Sequence, residues 1–278
     1  IDLLIPKEPK TPVFYHLPKT HKPSRPPPGR PIVASIRSPT ERISAFVDDN
    51  LQPLVKHLPS HIKNTQHFLS RLEDIHQPLP EDTLLVTVDV ESLYTNIPHQ
   101  DGVDAARQFL HSRPTNSKLS TNFLTTLIQM ILTMNNFKFL DRNYLQVKGT
   151  AMGTCMAPSY ANLFMGLLEQ NFLKSQNDQP LVWFPFIDDI FMVWQYGFEK
   201  LQNFLQNLND FSVLKFTWKI NKKIISYLDV DVFLENGFLK TKIHLKSTNM
   251  SYLHYTSYHP SYMKKSIPKS LSIRAKSM

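Results

Sequence analysis

The order of apolar and polar positions divides the chain into a succession of short elements. Residues 13–15 and 32–36 are aromatic and β-branched runs that read as strands bracketing a basic loop. Residues 41–75 read as helical, because Ile43, Phe46 and Val47 and then Leu51, Leu54 and Val55 recur at helix spacing. Leu84, Leu85, Val86 and Val88 form a nearly continuous apolar run that ends at Asp89, the pattern of a buried strand. Helices are expected over 102–110 and 123–134, the second with Phe123, Leu124, Leu127, Ile128 and Ile131 on one stripe. Residues 137–147 read as a hairpin turning at Asp141-Arg142-Asn143, followed by a helix over 159–172. Two further strands, 183–187 and 190–194, are separated by Asp188-Asp189. A helix over 199–208 then precedes strands over 216–220, 224–233 and 238–244.

Composition narrows what such a chain can be. With 278 residues, 41% of them hydrophobic, it can bury a sizeable core in one or two domains. The formal charge of +8 favours a negatively charged partner, nucleic acid or anionic membrane. Its distribution is more informative: residues 1–45 carry +5, residues 46–214 carry −6 and residues 215–278 carry +9. Basic ends around an acidic middle suit an enzyme that grips a polyanion and holds metal ions; Lys-rich solvated loops would give the same totals. No apolar run reaches the roughly 18 to 20 residues that span a bilayer. The single cysteine, Cys155, cannot form an internal disulfide or build a Cys-rich zinc site, which favours a reducing compartment. Both ends read as cut, so flanking domains are expected beyond them.

Nine of the 21 prolines fall within residues 5–31, interleaved with Lys7, Lys10, Lys19, Lys22, Arg25 and Arg30. This stretch cannot be helical. It is either a Pro-rich linker or an ordered, phosphate-facing hairpin flanked by His16 and His21. Only seven glycines exist, and Gly149 and Gly153 share one five-residue stretch, which marks a close approach of backbone to something. The tail interleaves Tyr252, Tyr255, Tyr258 and Tyr262 with Lys264, Lys265, Lys269 and Arg274. Aromatics among cations suit a nucleic-acid strand, and equally an amphipathic segment that packs on a further domain.

The candidate chemistry lies in carboxylates at strand ends. Asp188 follows Asp89 by 99 residues, and in neighbouring strands the two would meet. Carboxylates about 4 Å apart repel by roughly 4 kcal/mol at an effective dielectric of 20, so such a cluster binds a cation or shares a proton. Two magnesium ions about 3.5 to 4 Å apart would activate a primer 3′-hydroxyl and stabilise departing pyrophosphate. Asp-Asp is also an ordinary turn pair, although this turn lacks the glycine or asparagine that two-residue hairpins favour.

The order Asp89-Val90-Glu91-Ser92-Leu93-Tyr94, Gly149-Thr150-Ala151-Met152-Gly153-Thr154, Phe186-Ile187-Asp188-Asp189 resembles motifs A, B and C of a reverse transcriptase palm. Finer wording resembles Penelope-like retroelements. It comprises residues 14–23, Gly29-Arg30-Pro31-Ile32-Val33, residues 157–165 and Tyr227-Leu228-Asp229-Val230. The resemblance covers almost the whole chain. It implies an α+β right-hand polymerase, with fingers, a ferredoxin-like antiparallel palm and the start of a thumb. Residues 1–82 would be fingers, 83–115 palm with motif A, and 116–147 a fingers/palm connection. Residues 148–240 would be palm with motifs B to E, and 241–278 the beginning of the thumb.

By the same resemblance Asp89, Asp188 and the Val90 carbonyl would ligate two Mg2+ ions, with Mn2+ as a substitute, and Asp189 would support them. Tyr94 would be the aromatic gate that excludes a ribose 2′-hydroxyl. Lys19 and Arg30 would contact the triphosphate, Gly149 and Gly153 would lie against the nascent pair, and Lys223 (or Lys222) would protonate pyrophosphate. Gln146, Tyr227, Lys264 and Lys265 would touch template or primer. Cys155 reads as a small packing residue, since phosphoryl transfer here needs no thiol. The implied partners are an RNA template, a DNA primer and dNTPs, with no membrane, and the implied location is nuclear, at the site of integration. Members of the family commonly carry a GIY-YIG endonuclease beyond the polymerase, and no such motif occurs here. The rival readings are an RNA-dependent RNA polymerase, against which Tyr94 argues, and a silent or domesticated nucleic-acid-binding module, against which the intact carboxylates argue.

Overall fold

The computed structural model describes residue 4 and residues 6–19, 25–114, 117–244 and 253–276. His21, Lys22 and Tyr252 lie outside the described residues. The chain forms two compact units, each assembled from separate stretches: residues 1–61, 90–177 and 204–216 make the first, and residues 62–89, 178–203 and 217–278 the second.

In the first unit, the Pro-rich stretch becomes an ordered hairpin of β1 (Val13–Pro18) and β2 (Gly29–Ala34), paired antiparallel from Val13↔Ala34 to Pro18↔Gly29. β4 (Asn136–Phe139) joins β1 in parallel and pairs with β5 (Arg142–Leu145), completing a sheet of order β2-β1-β4-β5. The β4–β5 turn falls at Leu140-Asp141, earlier than the expected Asp141-Arg142-Asn143, with Leu140 in the left-handed region at φ 52°. Phe14, Phe137 and Phe139 cluster on one face, the ring centroids 5.6 and 5.1 Å from Phe14.

The helices of this unit are α1 (Glu41–Lys56), α3 (Leu93–Asn96), α4 (His99–His111), α5 (Thr121–Thr133), α6 (Ala157–Ser175) and the second half of α7 (Phe198–Phe211). α1 buries Val47, Leu51 and Val55 at helix spacing, whereas α6 is buried on nearly every side, with Tyr160, Leu163, Phe164, Leu168 and Phe172 inside. A Cβ on Gly102 of α4 would fall 1.9 Å from the Tyr160 hydroxyl oxygen, so α4 and α6 approach closely there.

The second unit carries the sheet β6-β7-β3-β8, built from β3 (Leu84–Val90), β6 (Val182–Phe186), β7 (Asp189–Trp194) and β8 (Phe216–Asn221). With helices after its first and third strands in chain order, this is the ferredoxin-like arrangement. The expected strand over 224–233 is two: β9 (Ile224–Tyr227) and β10 (Val230–Glu235) fold back at Leu228-Asp229, Leu228 taking φ 53°. β11 (Phe238–Ile243) completes a second sheet, of order β11-β10-β9. The expected helix over 41–75 also breaks, its second part being α2 (Thr65–Glu73), which Asn64 caps by accepting from the His67 amide at 2.9 Å. The tail forms a helix that periodicity did not reveal, α8 (Ser261–Lys276).

One face of the β6-β7-β3-β8 sheet, carrying Leu85, Phe184, Phe191 and Val193, packs on Phe68 and Leu72 of α2 and on Ile225, Tyr227, Val230 and Val232. Phe68 is the hub, fully buried, with ring centroids 5.1 Å from Phe191 and 4.7 Å from Tyr227. Phe68→Ala should destabilise the protein by about 3 to 5 kcal/mol, measured by urea unfolding. A loss below about 1 kcal/mol would show that this cluster is not the core of its unit.

Candidate active site

β3 and β7 pair antiparallel from Leu84↔Trp194 to Asp89↔Asp189. Every step before the last joins residues from an apolar run, and Leu85, Val86, Val88, Ile190, Phe191, Met192 and Val193 have essentially no solvent exposure. The pair is therefore anchored along its length and open at its end, where Asp89 and Asp189 are both exposed. Cα atoms directly opposite in such a ladder are about 4.5 to 5.5 Å apart, so the two carboxylates share one patch of sheet surface.

The structure corrects the position of the turn. Phe186 pairs with Asp189, so the two turn residues are Ile187 and Asp188, and Asp189 is the first residue of β7. Asp188, half-buried, sits in the turn itself, one residue from the opposed pair. Ile187 takes φ 57°, a left-handed conformation that a β-branched side chain disfavours. Strain of this kind costs about 1 to 3 kcal/mol and persists only where surrounding structure imposes it.

The imposing structure includes Tyr227. Its side chain is 3% exposed, and its hydroxyl donates to the Phe184 carbonyl at 2.7 Å, with the Asp189 carbonyl at 3.5 Å. Burial, and secondarily the charge of Asp189, push its phenol pKa up, so it remains a donor at any physiological pH. The expected contact of Tyr227 with primer is thus corrected: a ring packed among Phe68, Phe191 and Phe184 cannot meet a strand, and it braces the carboxylate hairpin from beneath.

The remaining expected residues divide between the units. In the first unit Arg30 is exposed opposite Leu17, and Lys19 stands where the hairpin ladder ends, its amide donating to the Pro28 carbonyl at 2.7 Å. Tyr94 is half-buried in the single-turn α3, which follows Ser92 at φ 51°. The loop between β5 and α6 is held through its own backbone atoms. The Val33 amide donates to the Met152 carbonyl at 2.9 Å, and the Ser35 hydroxyl donates to the Gly153 carbonyl. Gly153 has φ 122°, and a Cβ there would fall 2.3 Å from the Val33 carbonyl oxygen. Gly149 has φ 69°, with the Tyr94-Thr95 backbone 2.5 Å from where its Cβ would be. Only glycine fits either position.

Gln146 is engaged within the loop, donating to the Lys148 carbonyl at 2.9 Å and accepting from the Asn135 amide group at 3.2 Å. The Val90 side chain is buried. Cys155 is exposed rather than packed, a correction, and partial desolvation with the charges of Asp48, Glu41 and Asp49 raises its thiol pKa. In the second unit Lys223 is exposed in the β8–β9 connection, while on α8 Lys265 is exposed and Lys264 lies over the Tyr255 ring at 5.7 Å. Periodicity did not single out His99 and Thr150, which join the loop to α3 and α4.

Among the described residues no three His, Cys, Asp or Glu side chains converge into a ready-made metal cluster. The donor set nevertheless suits magnesium, a hard cation that takes oxygen ligands and is commonly held by one or two carboxylates completed by substrate phosphates. Asp89, Asp188 and Asp189 offer such carboxylates at one sheet end.

Two family models match the chain. One, described as reverse transcriptase (RNA-dependent DNA polymerase), covers residues 22–256, and one described as animal helix-turn-helix domain covers residues 251–278. No curated protein matches. Among solved structures the chain is similar to apo telomerase from Candida tropicalis truncated from its C-terminal domain, at 11% identity over 83% of this chain and 55% of that one, TM-score 0.61. Telomerase from Candida albicans in complex with a TWJ fragment of telomeric RNA gives 8% identity over 88% and 48%, TM-score 0.63. The RNA-dependent RNA polymerase of a human picobirnavirus gives 11% over 82% and 44%, TM-score 0.61. The chain spans about half the length of these structures, and at such identity the likeness is one of fold, the polymerase right hand.

Replacing Tyr227 by Phe keeps the packed ring and deletes the brace. We expect a loss of about 1 kcal/mol in denaturant unfolding, the net value of one buried hydrogen bond. An unchanged midpoint would show that the hydroxyl does not brace the hairpin.

Proposed function

We propose that this chain, which belongs to the reverse transcriptase (RNA-dependent DNA polymerase) family, is the polymerase of a Penelope-like retroelement, copying an RNA template into DNA by extending a primer 3′-hydroxyl with dNTPs. The observation that carries the reading is the β3–β7 register, which opposes Asp89 and Asp189 with Asp188 in the adjoining turn. The finer assignment is supported by the motif wording from Phe14 to Val230. In this reading residues 1–82 and 116–147 are fingers and connection, 83–115 and 148–240 palm, and 241–278 the start of the thumb. Its place of action would be the nucleus.

Asp89 and Asp188 would hold the divalent ions, with the Val90 carbonyl as a further oxygen donor and Asp189 as a supporting charge. When bound, two magnesium ions, or manganese in their place, lower the pKa of the attacking hydroxyl and neutralise the departing pyrophosphate. The side chains of this chain do the rest. Arg30 presents a planar fork suited to phosphate oxygens, and Lys19, at the same end of the hairpin, adds a point charge. The exposed ammonium of Lys223 supplies a proton to the leaving group. Tyr94 fills the space a 2′-hydroxyl would need, and the glycine-bearing loop offers backbone, with Gln146, to the nascent pair. Lys264 and Lys265 on the basic α8 contact the duplex phosphates, a role the helix-turn-helix match over 251–278 also supports.

RNA-dependent RNA polymerases share the fold, so the choice of sugar rests on Tyr94. Extension of a DNA primer on an RNA template tests both points. The intact chain should incorporate dNTPs in the presence of magnesium, and Asp188→Asn should slow incorporation by about 1,000-fold or more, since several kcal/mol of transition-state stabilisation are lost. Tyr94→Ala should admit rNTPs. Template binding without incorporation would sink the polymerase reading, and equal use of rNTPs by the intact chain would sink the gate.

A further inference from the structure

α3 is too short to place Tyr94 by its own hydrogen bonds. It has four residues, and Ser92, its N-cap residue, contributes no side-chain cap. A single turn is marginal in isolation. Tyr94 is instead positioned from across the fold. The Thr150 amide donates to the Tyr94 carbonyl at 2.7 Å, and the Gly149 backbone presses on Tyr94-Thr95 so closely that no Cβ is tolerated. Thr150 is 1% exposed, so this contact is shielded from water.

The clasp has a second anchor. His99, the first residue of α4, donates from Nε2 to the Gly149 carbonyl at 2.8 Å, which requires the proton on that nitrogen. His99 is itself fixed from behind: the buried Tyr160 hydroxyl donates to the His99 carbonyl at 3.4 Å, and its phenol pKa is raised by burial and by Asp101. The order of support therefore runs from Tyr160 of α6 to His99 of α4, through the 149–150 peptide, to the Tyr94 backbone.

We propose that His99 is a positioning residue for sugar discrimination, fixing through the Gly149 carbonyl the loop that holds Tyr94. The proposal rests on the reading of Tyr94 as the gate. A gate excludes a single oxygen atom, so it discriminates only while its ring keeps its place. Loosening the loop lets the ring yield to a ribose, which raises rNTP use while leaving the carboxylates untouched.

The experiment compares kcat/KM for dCTP and rCTP on one RNA template with the whole 278-residue chain. In His99→Leu, which fills the space without donating, the dCTP/rCTP ratio should fall about fivefold, the worth of one hydrogen bond. His99→Gln, whose amide nitrogen reaches the Nε2 position, should restore it. A role limited to stability would lower the melting temperature or both efficiencies together and leave the ratio unchanged. If Tyr94→Ala collapses the ratio while His99→Leu preserves it, the positioning role is overturned and the gate stands. If Tyr94→Ala itself preserves the ratio, the gate reading fails first. Should His99→Leu not fold, His99→Asn, which is polar but too short to reach, must show the same loss, and an unchanged ratio there overturns the proposal.

Discussion

Holding like charges opposite each other at the end of a strand pair is the constraint on which the site depends. At about 5 Å and an effective dielectric of 20, Asp89 and Asp189 would repel by roughly 3 kcal/mol, before Asp188 is added. A two-stranded ribbon would splay or slip under that load. Here the load falls on a ladder whose preceding pairs, Leu84↔Trp194 to Val88↔Ile190, are held by burial, and a one-residue slip would exchange the packed partners of every one of those side chains. Tyr227 holds the adjoining β6 backbone, and the left-handed Ile187 is tolerated because both of its flanking strands are fixed. The apolar cluster around Phe68, at about 1.5 to 3 kcal/mol for each large side chain buried, is what offsets these local costs.

The first unit solves a different problem by different means. Its loop from Gly149 to Met156 is ordered through its own main-chain atoms, which meet backbone at Tyr94 and Val33 and side chains at His99, Ser35 and Ser44, the Met156 amide donating to the Ser44 hydroxyl at 2.9 Å. Two of the chain's seven glycines are spent here, each against a carbonyl or Cα at a distance no Cβ could occupy. The glycine pair therefore reports contact with neighbouring protein backbone, an explanation that adds to the one offered by the motif.

Much of this was legible in the sequence, for physical reasons that can be named. β3 and β7 are dense apolar runs buried on both faces, and α6 is long and mostly apolar as far as Leu168, so they announce themselves. The turn between β6 and β7 was misplaced by one residue because Asp favours turns and Ile favours strands, whereas tertiary pairing put Ile187 in the turn and Asp189 in the ladder. β9 and β10 read as one strand because Leu228-Asp229 carries no glycine or proline to mark the reversal. α8 was hidden by Pro268 and by cations where an apolar stripe would stand. Tyr227 lies in an alternating strand, and alternation alone does not say which of its faces is covered. His99 follows a proline in a polar stretch, and only the fold brings it to Gly149.

The charge of α8 is opposite to that of the carboxylate-bearing sheet end. α8 carries Lys264, Lys265, Lys269, Arg274 and Lys276, has no acidic residue in its first turn, and buries no residue. The Arg274–Asp229 ion pair, at 2.5 Å, ties it to the β9–β10 turn, where both side chains are about 40% exposed. An exposed pair of this kind contributes at most about 1 kcal/mol and weakens with salt. The same Asp229 accepts from Thr65 at the start of α2 at 3.3 Å, so one carboxylate serves both the helix that carries Phe68 and the helix that carries the cations. A helix that buries no residue and is so uniformly positive is the part of its unit most sensitive to the ionic strength around it. The acidic middle and basic end of the sequence thus differ in the fold as well: the carboxylates stand at the open end of a buried ladder, whereas the cations of α8 are carried on a helix that buries no residue.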